Sequence, residues 1–171
     1  IESGSDIPEI INVVIEIPKG SMNKYEYDKK HNMIKLDRVL FSPFHYPGDY
    51  GLVPQTLSED GDPLDALVLV TNPTYPGILI ESRPIGLLEM KDDGEPDDKI
   101  ICVSTNDPRY LHTTDIQSLE DHYRSEIAHF FQVYKELEGK KVEILGWKSA
   151  KEAKTVIIDS VKRYKETLKK Y

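Results

Sequence analysis

Apolar and polar positions alternate through most of the chain, and only the last third changes period. Over Ile11-Asn-Val-Val-Ile-Glu-Ile17 the alternation predicts a first strand ended by Pro18, with Val13, Ile15 and Ile17 on one face and Glu16 on the other. Lys24-Tyr25-Glu26-Tyr27 alternates again, setting Lys24 and Glu26 against the two tyrosines, and Met33 to Phe41 reads as its hairpin partner. Ala66 to Thr71 reads as a central strand. Ile78 to Met90 is a long strand in which Pro84 demands an edge or a bulge. Lys99 to Val103 and Lys141 to Trp147 complete the set.

Between the strands of the C-terminal part the spacing becomes helical. Leu119, Tyr123, Ile127, Phe130, Tyr134 and Leu137 recur at three- and four-residue steps, with Ser118 and Asp121 resembling a capping box and Gly139 as the stop. Ser149 with Glu152 is a clean capping box opening a last helix striped by Ala153, Ile157, Val161, Tyr164 and Leu168. The prediction is class α+β: a compact β-barrel or curled sheet with two main helices in the C-terminal half.

The turns carry more information than the strands. Ser42 to Gly51 is rich in aromatics, proline and glycine and reads as a shaped, ordered loop. Asp60-Gly61-Asp62-Pro63-Leu64-Asp65 places three carboxylates at relative positions 1, 3 and 6, directly before the apolar run Ala66–Val70. Gly61 frees the backbone and Pro63 stiffens it, so the acids sit on a rigid turn at the mouth of a buried strand. Two unit charges about 4 Å apart repel by roughly 4 kcal/mol at an effective dielectric near 20. Convergence of three acids therefore calls for a hard divalent cation among them; otherwise they splay into water as a surface turn. An EF-hand loop does not fit, because Leu64 and Thr71 stand where positions 5 and 12 require ligands. Lys91 to Asp98 is a second acidic turn, by itself an ordinary hairpin tip.

Length and charge narrow the function. The 171 residues suit one domain, read as spanning 1–171, with Ile1–Asp6 left as a remnant, a trimmed end or a disordered lead. A formal net charge of −8 argues against nucleic acid or an anionic membrane as partner, but not against a small anion held by a few cations. The single cysteine, Cys102, reads as a buried strand thiol and fits a reducing, cytoplasmic setting. No apolar run is long enough to span a bilayer. His31, His45, His112, His122 and His129 lack zinc-like pairing and receive no chemistry; His122 and His129 suit packing or a subunit contact.

The acids that could share one pocket are Asp60, Asp62 and Asp65, Asp92 and Asp97, and Glu16 and Glu26. Lys24, Arg38, Lys99 and Lys135 supply cations, and Tyr46, Tyr50 and Tyr134 supply hydroxyls. Carboxylates able to load divalent metals, beside groups that hold oxyanions, describe phosphoryl transfer. Two other readings compete: a non-catalytic divalent-binding module, which needs none of the four cations, and an OB-like nucleic-acid-binding barrel, which wants a basic groove.

From about Glu9 to the last helix the chain resembles the family I soluble inorganic pyrophosphatases of prokaryotic type. The resemblance rests on Asp60–Asp65 together with Ile15-Glu16-Ile17-Pro18, Lys24-Tyr25-Glu26, Asp37-Arg38, Tyr46-Pro47 with Tyr50-Gly51, Asp92, Asp97, Lys99, Tyr134-Lys135 and Gly146-Trp147, in that family's order. It implies a five-stranded OB-like barrel and Mg²⁺-dependent hydrolysis of pyrophosphate to two phosphates, with several Mg²⁺ per site and other divalent cations possible. It implies that Asp60, Asp65 and Asp97 ligate the tightest metal and that Asp65 bridges to a second. Asp62 would accept the proton of the water lying between them. Asp92 with Asp97 would hold a metal that arrives with substrate, and Glu16 with Glu26 would act near a further one. Lys24, Arg38, Tyr50, Lys99, Tyr134 and Lys135 would grip phosphate, with Tyr46 nearby. Tyr134 also falls on the apolar helix stripe, where a core tyrosine is the plain alternative. The short chain is similar to the branch whose members are commonly homohexamers.

Overall fold

A computed structural model describes residues 1–169 and shows five strands closed on themselves. They are β1 (Ile11–Ile17), β4 (Asp49–Val53), β5 (Leu64–Leu69), β8 (Lys99–Ser104) and β6 (Leu79–Asp92), in that order around the ring, with β6 returning to β1. Every junction is antiparallel except β5–β8. The α+β class and the five-stranded OB-like ring are thus as expected. The 14-residue β6 runs beyond the ring to pair with β7 (Glu95–Pro96) and β9 (Val142–Ser149). The register of β6 shifts between Pro84 and Gly86, the bulge that a proline without an N–H imposes. Strands β2 (Asn23–Asp28) and β3 (Met33–Val39) form a hairpin with no strand pairing to the ring.

Side chains along the strands divide between two apolar clusters. One gathers Ile11, Val13, Ile15, Ala66, Val68, Ile100 and Cys102 with Ala153 and Ile157 of α2 (Ala150–Leu168). The other gathers Leu67, Leu69, Ile101 and Val103 with Ile127, Phe130 and Phe131 of α1 (Asp121–Val133). Burial holds the Cys102 thiol well above its ordinary range, in keeping with an inert core residue.

Several expectations are corrected. Ile17 does not share the face of Val13 and Ile15: the β1–β4 register shifts between Ile15 and Ile17, a bulge that turns Ile17 into the α1-side cluster. The segment read as loop through Gly51 ends in strand β4 from Asp49 onward. There Gly51 lets β1 approach so closely that a Cβ would lie 1.9 Å from the Val14 carbonyl oxygen. The buried Asp49 carboxylate accepts from Lys19 N (2.8 Å) and Thr74 N (3.1 Å), tying two loops to the start of β4.

Helix α1 begins later than its stripe suggested. Ser118 ends a short 3₁₀ turn and donates to Asp115, so it forms no capping box, and the N-cap is Glu120 without a side-chain hydrogen bond. Leu137 is exposed on the 3₁₀ turn Glu136–Glu138, which Gly139 closes at φ +76°. The Ser149–Glu152 capping box is formed in full, although Leu168 at the far end of α2 is exposed. At the N-terminus Ser3 is buried and its carbonyl accepts from Asn12 N at 2.7 Å, while Ile1 is exposed.

Candidate active site

A cavity of about 790 Å³ lies where the hairpin faces the N-terminal ends of the parallel pair β5 and β8. The first acidic turn forms part of its rim. Ser58 N donates to Asp62 O (2.7 Å), and Asp62 N donates to Asp60 Oδ1 (3.0 Å). Gly61 takes φ +91°, a conformation that a Cβ disfavours. Behind the turn the buried Thr56 hydroxyl accepts from Leu64 N (2.9 Å) and donates to Val53 O (2.6 Å). This fixes where β5 starts and therefore where Asp65 emerges.

Asp65 and Lys99 face each other across the parallel register, and the Lys99 ammonium sits 2.6 Å from Asp65 Oδ2 and 2.7 Å from Asp97 Oδ1. Burial alone would pull this ammonium down, but the carboxylates of Asp65 and Asp97 outweigh it and hold it above the usual lysine range. Lys99 also lies 5.5 Å from the Tyr50 ring centre. Burial raises Tyr50, Tyr46 and Tyr134 above ordinary phenol values, so all three keep their hydroxyl protons. Glu16, buried in β1, accepts from Tyr27 N at 2.8 Å, and burial lifts its carboxyl to about 7.

Of the residues singled out in the sequence, Glu16, Lys24, Glu26, Tyr50, Asp60, Asp62, Asp65, Asp97, Lys99, Tyr134 and Lys135 all line this cavity. Lys24 is paired with Glu26 along β2. Tyr134 meets both descriptions, being packed against Phe130 with ring centres 5.0 Å apart and lining the cavity as well. Three of the residues singled out do not line it. Asp92 is paired with Lys135. Tyr46 is buried against the rings of Tyr50 and Tyr134. Arg38 is engaged by Asp37 and, with Nε 2.8 Å from Glu138 Oε1, by Glu138.

The cavity also takes in residues that no pattern along the chain singles out. Lys29, at the hairpin tip, has only its neighbour Lys30 as a signal. Tyr164 belongs to the α2 stripe but faces the cavity instead of the core.

Among the described residues no three His, Cys, Asp or Glu side chains are gathered as a ready metal cage. Between Asp65 and Asp97 the counter-charge is the Lys99 ammonium. The donor chemistry nevertheless suits a hard divalent cation, because the cavity offers carboxylate oxygens and no histidine or cysteine. Asp92 adds a buried oxygen, Oδ1, that has no hydrogen-bond partner.

Comparison with known proteins points the same way. The sequence profile described as inorganic pyrophosphatase matches residues 13–165. The chain is 53% identical over 156 residues to an inorganic pyrophosphatase of Synechocystis, covering 91% of this chain and 92% of that one. It is 50% identical over 167 residues to that of Halobacterium salinarum, covering 97% and 94%. The crystal structure of inorganic pyrophosphatase from Thermus thermophilus superposes with a TM-score of 0.94 at 47% identity, over 96% of this chain and 97% of that one.

Proposed function

The chain belongs to the inorganic pyrophosphatase family and hydrolyses pyrophosphate to two phosphates, and from that premise we propose how its own residues divide the work. The family requires a divalent metal, and Mg²⁺ is the ion this all-oxygen donor set fits best. Asp60, Asp65 and Asp97 would hold one such ion, and Asp65 would also serve a second. Asp92 with Asp97 would hold an ion entering with substrate, and Glu16 with Glu26 would serve a further one. When bound, such ions lower the pKa of a water and neutralise phosphoryl oxygens.

The remaining steps are the protein's. Asp62, exposed on the rim with its side chain free of hydrogen bonds to the described residues, accepts a proton from the attacking water. The water oxygen bonds to one phosphorus as the bond from that phosphorus to the bridging oxygen breaks, and the second phosphate leaves with the bridging oxygen. Lys24, Lys99 and Lys135 compensate the moving charge. Tyr50 and Tyr134, kept protonated by burial, donate to phosphate oxygens, with Tyr46 backing their rings and Arg38, which does not line the cavity in this structure, turning its guanidinium toward phosphate from β3.

The observation that carries this reading is the cluster at Lys99. A buried ammonium clamped between two acids on the floor of a carboxylate-lined cavity has no use in a passive metal-binding module. The same acids exclude the basic groove of a nucleic-acid barrel.

The whole chain acts as one domain. A cytoplasmic homohexamer is the assembly and setting that the resemblance supports, and no helix among the described residues is long and apolar enough to cross a membrane. Light scattering on the purified protein tests the assembly. Phosphate release from pyrophosphate with Mg²⁺, with Mg²⁺ plus chelator, and in D62N tests the mechanism. Fast release that chelator abolishes and D62N cripples is expected. Unchanged turnover under chelator would overturn the metal assignment, and unchanged turnover in D62N would overturn the role of Asp62.

A further inference from the structure

The hairpin β2–β3 carries three residues of the proposed site, Lys24, Glu26 and Arg38, yet no strand of the ring pairs with it. Lys24 and Arg38 are opposite each other in its register, so whatever aims one constrains the other. Two acids reach the hairpin from outside. One is Glu16, which accepts from Tyr27 N. The other is Glu138, to which the sequence assigned nothing.

Glu138 lies three residues beyond Lys135, in the 3₁₀ turn Glu136–Glu138, and its backbone N–H donates to Lys135 O at 3.0 Å. Its side chain is only 9% exposed, with Oε1 in ion-pair range of Arg38 Nε at 2.8 Å, although among the described residues neither Nε nor the buried Oε2 has a hydrogen-bond partner. A solvated surface pair would be worth little and would not bury its acid. Here the acid is desolvated with one oxygen unpaired, which costs stability unless the nearby guanidinium offsets it. Asp37 engages Nη1 of the same guanidinium. Neither acid engages Nη2, which stays available to an anion.

We propose that Glu138 is a positioning residue: it aims Arg38 and fixes the hairpin against the Tyr134–Lys135 segment, so that the cations on the two sides of the cavity are set at the spacing of one pyrophosphate. This rests on the reading that Arg38 grips phosphate, and it adds a residue that touches neither substrate nor metal.

Steady-state kinetics with Mg²⁺ on wild type, E138A, E138Q, R38A and E138A/R38A tests the proposal, with thermal midpoints as the check on folding. E138A is expected to raise KM for pyrophosphate about tenfold while kcat falls less. R38A raises KM at least as far, and adding E138A to R38A changes nothing more. E138Q, which keeps the size of the side chain and a polar oxygen beside Nε but not the charge, recovers part of the loss; it is also the deciding variant should E138A not fold. Equal factors from E138A in both backgrounds would overturn the proposal, because Glu138 would then act independently of Arg38. So would an unchanged KM in E138A and E138Q while R38A raises it. An unchanged KM in R38A would instead remove Arg38 from the grip and overturn the reading beneath.

Discussion

Asp65 and Lys99 are register partners in the only parallel pairing of the ring, and their side chains meet at 2.6 Å. A parallel register sends partner side chains to the same side of the sheet, so the contact follows from topology and needs no special loop. Both residues stand at the N-terminal ends of their strands, where the apolar rows Leu67–Leu69 and Ile101–Val103 stop and the cavity begins. The core thus delivers an acid and a base to one point at its own edge.

Lys99→Met should expose the cost of that arrangement. Lys99 is 2% exposed, whereas Asp65 and Asp97 keep 30% and 20% of their side-chain surface. Removing the ammonium leaves two carboxylates facing each other, partly in contact with water. The metal-free variant is expected to lose about 2–3 kcal/mol. Urea unfolding in chelator checks this, and added Mg²⁺ should restore part of the loss if the acids bind the ion. Stability equal to wild type in chelator would contradict the account.

Glu16→Gln should stabilise the metal-free protein, and only at high pH. Burial lifts the Glu16 carboxyl from 4.5 to about 7. A raised carboxyl means that the folded state binds a proton the unfolded state has released, so this group's contribution to stability falls as pH rises from 4.5 through 7. The gap corresponds to roughly 3 kcal/mol when fully developed. Gln keeps the carbonyl that accepts from Tyr27 N and carries no charge. The variant should therefore exceed wild type by up to about that amount above pH 7 and converge with it near pH 4.5. An offset that is the same at pH 5 and pH 8 would show that Glu16 ionisation is not its source.

The strands were legible because a half-buried strand must alternate, and the last helix because its capping box is a local hydrogen-bond pattern. What alternation hides is a bulge: nothing in Ile15-Glu16-Ile17 says that Ile17 turns to the other cluster. Strand β4 was hidden for the opposite reason, since Gly51 and the aromatic, proline-rich lead-in look like loop although β1 needs a glycine there. In the site, residue types were legible but layers were not. Arg38, Tyr46 and Asp92 do not line the cavity, and spacing along a strand carries no depth. Glu138 was invisible because a charged residue on a turn next to glycine ordinarily points into water.

Gly51→Ala tests the close approach of β1 and β4. A Cβ would sit 1.9 Å from Val14 O and 2.8 Å from Val14 C, both backbone atoms that cannot rotate away. The strands must separate, which disturbs Tyr50 beside it and the ring at that junction. A loss of about 3 kcal/mol or more is expected. Denaturant midpoints measure it, and a loss below about 0.5 kcal/mol, the level of an ordinary surface change, would mean that the two backbones are not this close.

Asp62→Asn separates chemistry from architecture at the acidic turn. The turn uses the Asp62 backbone, whose carbonyl accepts from Ser58 N and whose N–H donates to Asp60. Its side chain is exposed and makes no hydrogen bond to any described residue, so asparagine leaves those contacts in place and stability should stay within about 0.5 kcal/mol. Asparagine cannot take a proton at neutral pH, so kcat should fall by about 100-fold or more. KM should change little, because Asp62 contributes no positive charge to substrate binding. If KM rose with kcat unchanged, Asp62 would belong to the binding of substrate or metal, and the proton acceptor would have to be sought among the other rim acids.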